Sequence, residues 1–380
     1  MVLYLSILAI PLFLFVIGEK AQRSTLFLAL YMLFLCFFVG IGDMLGGYDR
    51  YIYGELFDRT ADLIRSGGHY KDSIVLMQYP KELGYVFTNI FICQFSENRY
   101  IFILCLTIMM YILFFYSFKR YAINYPLAMI LFMALLFFFS FTYLRQMLAV
   151  GFSSIAIRYV IDRKSWKFFF WFILAFSFHN SAIVILPLYL LPIRKYKIST
   201  ILLALTICLM LGVSGLSNTL FGMFGDMTGT ESRTAGYEDE TGFRFAYILE
   251  AIFFLYFLLT AHKHVPNDKQ QIILYNMGLI FCAILLLFMK SENGGRIAWF
   301  YSIGLICSLS YILSKKVNFS HILTICVVSL FLYIRVYISW QQYLNLYPYK
   351  TFFTNGYREG DYSFEHYEYD QNYVVDKFYR

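Results

Sequence analysis

"TYLRQMLAVGFSSIAIRYVIDRK", Thr142 to Lys164, reads as a membrane-embedded helix that closes on the cluster Asp162 to Lys164, yet it opens on Arg145 followed at once by Gln146. An arginine near a bilayer is costly unless it snorkels, pairs or lines a watery cavity, so its default reading is functional. The rest of the chain agrees that the helix lies in a membrane. Of 380 residues, 60% are hydrophobic and 14% charged, and the apolar residues come in long uninterrupted runs. That composition belongs to an all-α, polytopic transmembrane helical bundle. Aromatic residues make up 21%, more than core packing needs, and much of the tyrosine stands at the ends of apolar runs as interfacial anchors.

The expected spans are Val2 to Ile17, Thr25 to Ile41, Tyr100 to Phe118, Tyr125 to Phe141, Met147 to Ile161, Ile201 to Val213, Phe245 to Ala261, Ile272 to Met289, Ile297 to Leu313 and Ile322 to Trp340. Two further runs do not fit a simple crossing. Leu83 to Phe95 is short, and Phe168 to Leu191 is interrupted by Phe178, His179, Asn180 and Ser181. Basic clusters at Glu19 to Arg23, Lys119 with Arg120, Asp162 to Lys164, Arg194 to Lys197, His262 to Lys269, and Lys315 with Lys316 should share the cytoplasmic side. They do so only if both irregular runs enter the membrane and return. The expectation is an outside N-terminus, ten full spans and two re-entrant or broken-helix elements, 10–12 membrane segments in all. Two badly delimited ordinary helices are the alternative.

Residues 1–340 read as one polytopic domain with outer loops at 43–82 and 214–244, and residues 341–380 as a polar, Tyr-rich tail whose last part, residues 357–380, reads as a poorly ordered extension. The loop Ser214 to Arg244 suits a lid over a site. No internal repeat and no separate soluble domain stand out. The formal net charge of +7 lies in the clusters between spans, which excludes nucleic acid as a partner. All seven cysteines lie inside apolar runs without a CxxC pair, so they read as packed thiols. The first run has no basic leader and no small-residue cleavage site, and reads as a retained span.

On this topology the outward ends hold Asp49, Glu82, Arg145, Arg244, Lys290, Glu292 and Arg296, with His179 at the break of a helix that rises toward them. Converging arginines suit phosphate oxygens, which the planar guanidinium binds through two parallel hydrogen bonds. Each could equally be an interfacial anchor. In "SENGGRIAWFYSIG", Gly294 and Gly295 would let a ligand approach the backbone next to Arg296. Asp49 and Glu82 could act as general bases toward a sugar hydroxyl, or simply pair with the same arginines. Arg335, in "FLYIRVYISW", should face the bundle interior and pair with a carboxylate such as Glu250.

The segments "GYDRYIYGELFD", "KELGYVF", "YLRQMLAVGFSSIAIRYVIDRK", "FILAFSFHNSAIVILPLYLL" and "GGRIAWF", in this order, resemble the EpsG-like branch of the polysaccharide polymerases, related to Wzy-type O-antigen polymerases. The resemblance covers Leu26 to about Leu313. Position by position it points to Asp49, Tyr53, Glu82, Tyr85, Arg145, Gln146, His179 and Arg296; Arg244 and Lys290 are added from topology.

The family is similar to the GT-C membrane glycosyltransferases. That likeness implies a lipid-linked sugar donor, with Arg145 and Arg296 on the diphosphate and Asp49, Glu82 or His179 as base. Tyr53, Tyr85, Gln146, Arg244 and Lys290 would bind substrate. No D-x-D metal motif stands in the outer loops, so neither cofactor nor metal is expected and arginines would take the role of a divalent ion. The expected partners are an undecaprenyl-diphosphate-linked oligosaccharide, the bilayer and, as a candidate, a chain-length regulator. The expected setting is the bacterial inner membrane, with the site facing the periplasm or cell exterior. A flippase or exporter of the same lipids, an acyltransferase and a glycan ligase are the rival readings.

Overall fold

The apolar runs become helices where a short polar side chain stands ready to cap them. Ser24, Asn98, Asn124 and Asp268 each accept hydrogen bonds from backbone N–H groups in the first turn that follows. The computed structural model describes residues 1–18, 22–217, 219, 222, 242–291, 294–314, 319–341 and 346–354. Over these the elements are α1 (Val2–Ile17), α2 (Thr25–Gly40), α3 (Tyr48–Arg65), α4 (Ile74–Gln78), α5 (Leu83–Cys93) and α6 (Arg99–Tyr121). Next come α7 (Tyr125–Phe132), which passes through a π-turn (Met133–Phe137) into α8 (Phe139–Thr142), then α9 (Leu144–Ile161) and α10 (Ser165–Phe178). A 3-10 stretch (Asn180–Ile185) leads to α11 (Leu186–Leu190). The chain continues with α12 (Ile198–Ser214), α13 (Phe245–Thr260), α14 (Lys269–Leu287), α15 (Gly295–Ala298), α16 (Ser302–Leu313) and α17 (Phe319–Gln341).

Five of these segments are long and apolar enough to cross a membrane by length and composition, and eight shorter apolar helical segments accompany them. The chain is an all-α polytopic bundle. Its packing fixes two ends. At one, the Asn124 N–H and carbonyl both bond to Ser310 Oγ, Arg163 bonds the carbonyls of Tyr189 and Leu191, and Lys195 Nζ bonds the Val265 carbonyl at 2.8 Å. The basic clusters of residues 119–124, 162–164, 190–197 and 262–269 therefore gather there. The starts of α3, α5 and α9 and the close of α17 lie at the other end.

Both irregular runs behave as the charge pattern requires. Arg163 holds the far end of the Ser165–Leu190 segment beside its beginning, and the Phe168 and Tyr189 rings stack at 4.7 Å. This segment enters and returns. The helix α5 spans only 11 residues, and α3 holds the chain that follows it through the ion pairs Asp58–Arg99 and Arg65–Glu97. It does not cross the bundle.

Small residues let helices approach. Ser117 and Ser154 join α6 to α9 by a 2.5 Å hydroxyl bond, and Gly151 leaves room for Leu113. Arg50, fully buried in α3, donates to the carbonyls of Val39, Gly40 and Gly42 where α2 closes.

The first part of the tail, residues 346–354, is packed: Asp43 N–H bonds Lys350 O, Phe352 N–H bonds Ile41 O, and Tyr349 stacks on Phe38 at 4.2 Å. The backbone groups left open at the end of α2 supply the partners. Cys105 is exposed and Cys208 and Cys326 half-buried, so only four of the seven free cysteines are packed thiols. The lid proposed over Ser214 to Arg244, the tail beyond residue 354, Glu292, Lys315 and Lys316 lie largely or wholly outside the described residues.

Candidate active site

Helix α8 ends at Tyr143 and α9 begins at the next residue, so the chain reverses without a loop and sets Arg145 in the first turn of α9. Helix α3 starts directly on this reversal. A Cβ at Gly47 would lie 2.4 Å from Thr142 Cβ, and the Asp49 N–H bonds Thr142 Oγ1 at 3.1 Å. Helix α5 starts against the break after α10, where a Cβ at Gly84 would lie 2.2 Å from Ser177 Oγ. These two close approaches bring Asp49, Glu82 and the Phe178–Ser181 break to the same place as Arg145.

Arg145 is enclosed. It forms an ion pair with Glu82, and its guanidinium carbon lies 3.8 Å from the Tyr79 ring centroid, 5.3 Å from Tyr53 and 5.6 Å from Tyr85. The Arg145 side chain is 13% exposed and that of Glu82 2%. Arg145 Nε is buried without a hydrogen-bond partner, as is Asn180 Oδ1. Each is a polar atom with capacity left for a ligand.

Arg296 lies in a more open setting. Its guanidinium carbon is 4.1 Å from the Tyr143 ring centroid, and Nη2 donates to Tyr143 Oη at 2.7 Å. It lines a cavity of about 340 Å³ together with Arg244, Arg335, Glu250 and Tyr247. Phe139, Tyr143, Trp299 and Trp340 give that cavity an aromatic wall, and the π-turn contributes Ala134 and Leu135. Gln146 Nε2 donates to the Arg296 carbonyl at 3.1 Å and reaches Ser181 Oγ at 3.5 Å, and Ser181 Oγ is 2.6 Å from His179 Nδ1. Gln146 thus ties α9 to the turn before α16 and to the break, and does not orient Arg145.

Asp49 is half-buried within electrostatic reach of both centres. Burial raises its carboxyl above the ordinary carboxylate range, against the opposing pull of Arg296 and then Arg145.

The nominated residues therefore converge, apart from Lys290, which lies over the Phe243 ring at 5.4 Å and is not among the described residues that line the cavity. Gly294 makes room for protein, because a Cβ there would meet Phe288 at 2.2 Å, whereas Gly295 lines the cavity beside Tyr247, 2.7 Å from where a Cβ would stand. Arg335 and Glu250 line the same cavity, but no ion pair within 4.0 Å joins them among the described residues. Sequence reasoning missed Tyr79, Tyr143, Trp299 and Trp340. Three of them stand beside nominated residues, Tyr79 three positions before Glu82, Tyr143 two before Arg145 and Trp299 three after Arg296. Among the described residues no cluster of three or more His, Cys, Asp or Glu could hold a metal ion.

The EpsG family model matches residues 25–351, past the last span and into the packed segment after it. The chain belongs to the EpsG family, which associates it with polysaccharide biosynthesis. No curated protein and no solved structure matches it.

Proposed function

We propose that the chain is a glycosyltransferase that joins lipid-diphosphate-linked oligosaccharide repeats into a longer surface polysaccharide, at the outer face of a bacterial inner membrane. Positively charged clusters gathered at the opposite end of the bundle support that orientation. One observation carries the reading. Asp49, anchored on Thr142 beside the head of α9, lies within electrostatic reach of two guanidiniums from distant parts of the chain, one closed in by tyrosines and one opening on a cavity lined by further arginines.

In this reading the acceptor sugar hydroxyl attacks the anomeric carbon of the donor repeat. The bond from that carbon to the diphosphate oxygen breaks, and the lipid diphosphate leaves with the electron pair. Arg296, with Arg244 beside it in the cavity wall, meets the growing negative charge. Asp49 takes the hydroxyl proton. Of the three candidate bases, Glu82 is committed to Arg145, and His179 Nδ1 accepts from Ser181, whereas Asp49 is half-exposed and made more basic by burial.

A flippase would need charge along a path through the bundle. Here the nominated groups collect at one end.

The test replaces the native gene by Asp49→Asn and resolves the glycans on the lipid, with membrane protein level checked beside it. The reading expects normal protein and single repeats. A full ladder from Asp49→Asn would remove Asp49 from the chemistry.

A further inference from the structure

Helices α13 and α17 touch at the basic end and stand apart at the other. Near the basic end Tyr256 Oη lies 3.4 Å from His321 Nε2, and the Phe257 and His321 rings are 5.8 Å apart. Toward the site end the cavity lies between them, with Glu250 on one side and Arg335 on the other. Both helices turn exposed apolar side chains outward, Phe245 and Leu249 on α13 and Phe331 and Ile338 on α17. Those are faces made for lipid.

Arg335 is exposed, and it lies six residues, about 9 Å at 1.5 Å per residue, inside the end of α17 at Gln341. An arginine at that depth in a lipid-facing helix is costly unless it snorkels, pairs or lines a watery cavity, and this one lines the cavity, where an anion can reach it. Glu250 acts on it only through space. Among the described residues the cavity wall carries three arginines and one carboxylate, so an anionic headgroup suits it better than a neutral one. A diphosphate joined to a lipid at one end and a sugar at the other carries two negative charges; an ordinary phospholipid phosphodiester carries one. The volume, about 340 Å³, lies within the range of small-ligand sites, roughly 300–1,000 Å³.

We propose that the gap between α13 and α17 is a side door through which a polyprenyl-diphosphate-linked substrate enters from the bilayer, its diphosphate received by Arg335 and its tail left between the two helices. The identity of the lipid rests on the polymerase reading; the door and its charge rest on the cavity.

The full-length protein in neutral phosphatidylcholine nanodiscs is given farnesyl diphosphate with a photoreactive group at the end of its tail. Binding is expected, with cross-links in α13 and α17. Arg335→Gln should weaken it about tenfold or more, Arg335→Lys less so, and Arg158→Gln, at the basic end, not at all. All variants should elute as the wild type does in size exclusion.

Equal binding by Arg335→Gln, cross-links on other helices, no binding by the wild type, or displacement of the probe by an equal amount of phosphatidylglycerol would each overturn the proposal. A door that passes these tests in a protein whose Asp49→Asn variant still makes a full ladder would leave this inference standing and sink the polymerase reading.

Discussion

Glu82 and Arg145, 63 positions apart in the chain, form an ion pair with the guanidinium stacked on Tyr79 at 3.8 Å. The pair makes the arginine at the head of α9 internally neutralised, and in the proposed reaction it is Arg296 of the cavity wall that meets the anionic substrate. It also binds α5 to α9.

Removing one partner of this pair leaves an enclosed charge. Glu82→Gln is expected to destabilise the protein by about 3–5 kcal/mol. The double variant Glu82→Gln with Arg145→Gln should recover a large part of that loss while remaining inactive. Thermal unfolding in detergent decides it: a double variant less stable than Glu82→Gln by the full Arg145→Gln effect would mean the pair is uncoupled.

Asp49 accepts a proton only when ionised. Because burial holds its carboxyl above the usual value, the rate should fall on the acid side at a higher pH than an ordinary aspartate would give. Asp49→Asn should lower the rate about 100- to 10,000-fold and abolish that limb. The same raised value means that the folded state holds this proton more tightly than the unfolded chain. Its stabilising contribution is present at low pH and lost as pH rises through the raised value, so Asp49→Asn should not lower the melting temperature at neutral pH. A lower melting temperature there would point to a structural carboxylate.

Gly84→Ala should force α5 off the break, since its Cβ would lie 2.2 Å from Ser177 Oγ and 3.0 Å from Ser177 Cβ and Phe178 Cε2. Overpacking of this kind costs about 1–3 kcal/mol. Adding Ser177→Ala removes the nearest atom and should restore part of both stability and rate. No rescue in the double variant would show that the contact does not set the position of Glu82.

Arg50→Met and Arg50→Lys should both destabilise, because Met has no donor and Lys gathers its donors on one nitrogen, whereas Nη1 and Nη2 of the guanidinium reach three carbonyls at 2.8–3.0 Å. The expected loss is on the order of 2–5 kcal/mol, with catalytic rate per folded molecule changed less than stability. Wild-type stability in Arg50→Lys would refute this reading of α2's closing turn.

The pattern of basic clusters between apolar runs carried the topology in the sequence, including the return at His179. Motif order carried Asp49, Glu82, Arg145 and Arg296. Tyr79 was hidden because in a chain with 34 tyrosines one more ring has no signal of its own. That Lys290 stands apart from the cavity was not legible, because a residue's side of the membrane does not say which way its loop folds. The packing of residues 346–354 rests on Tyr349 against Phe38 and on backbone hydrogen bonds to Ile41 and Asp43, and the backbone part has no signature in side-chain composition. Gly294 and Gly295 read alike as openings for a ligand, yet Phe288 fills the space at Gly294 while Gly295 lines the cavity.

Because Arg163 clasps the carbonyls of Tyr189 and Leu191, the segment that carries His179 has both feet on one side. During synthesis neither Arg163 nor Arg194 then has to be carried across the bilayer, so the hairpin that bears His179 needs no translocated charge to form.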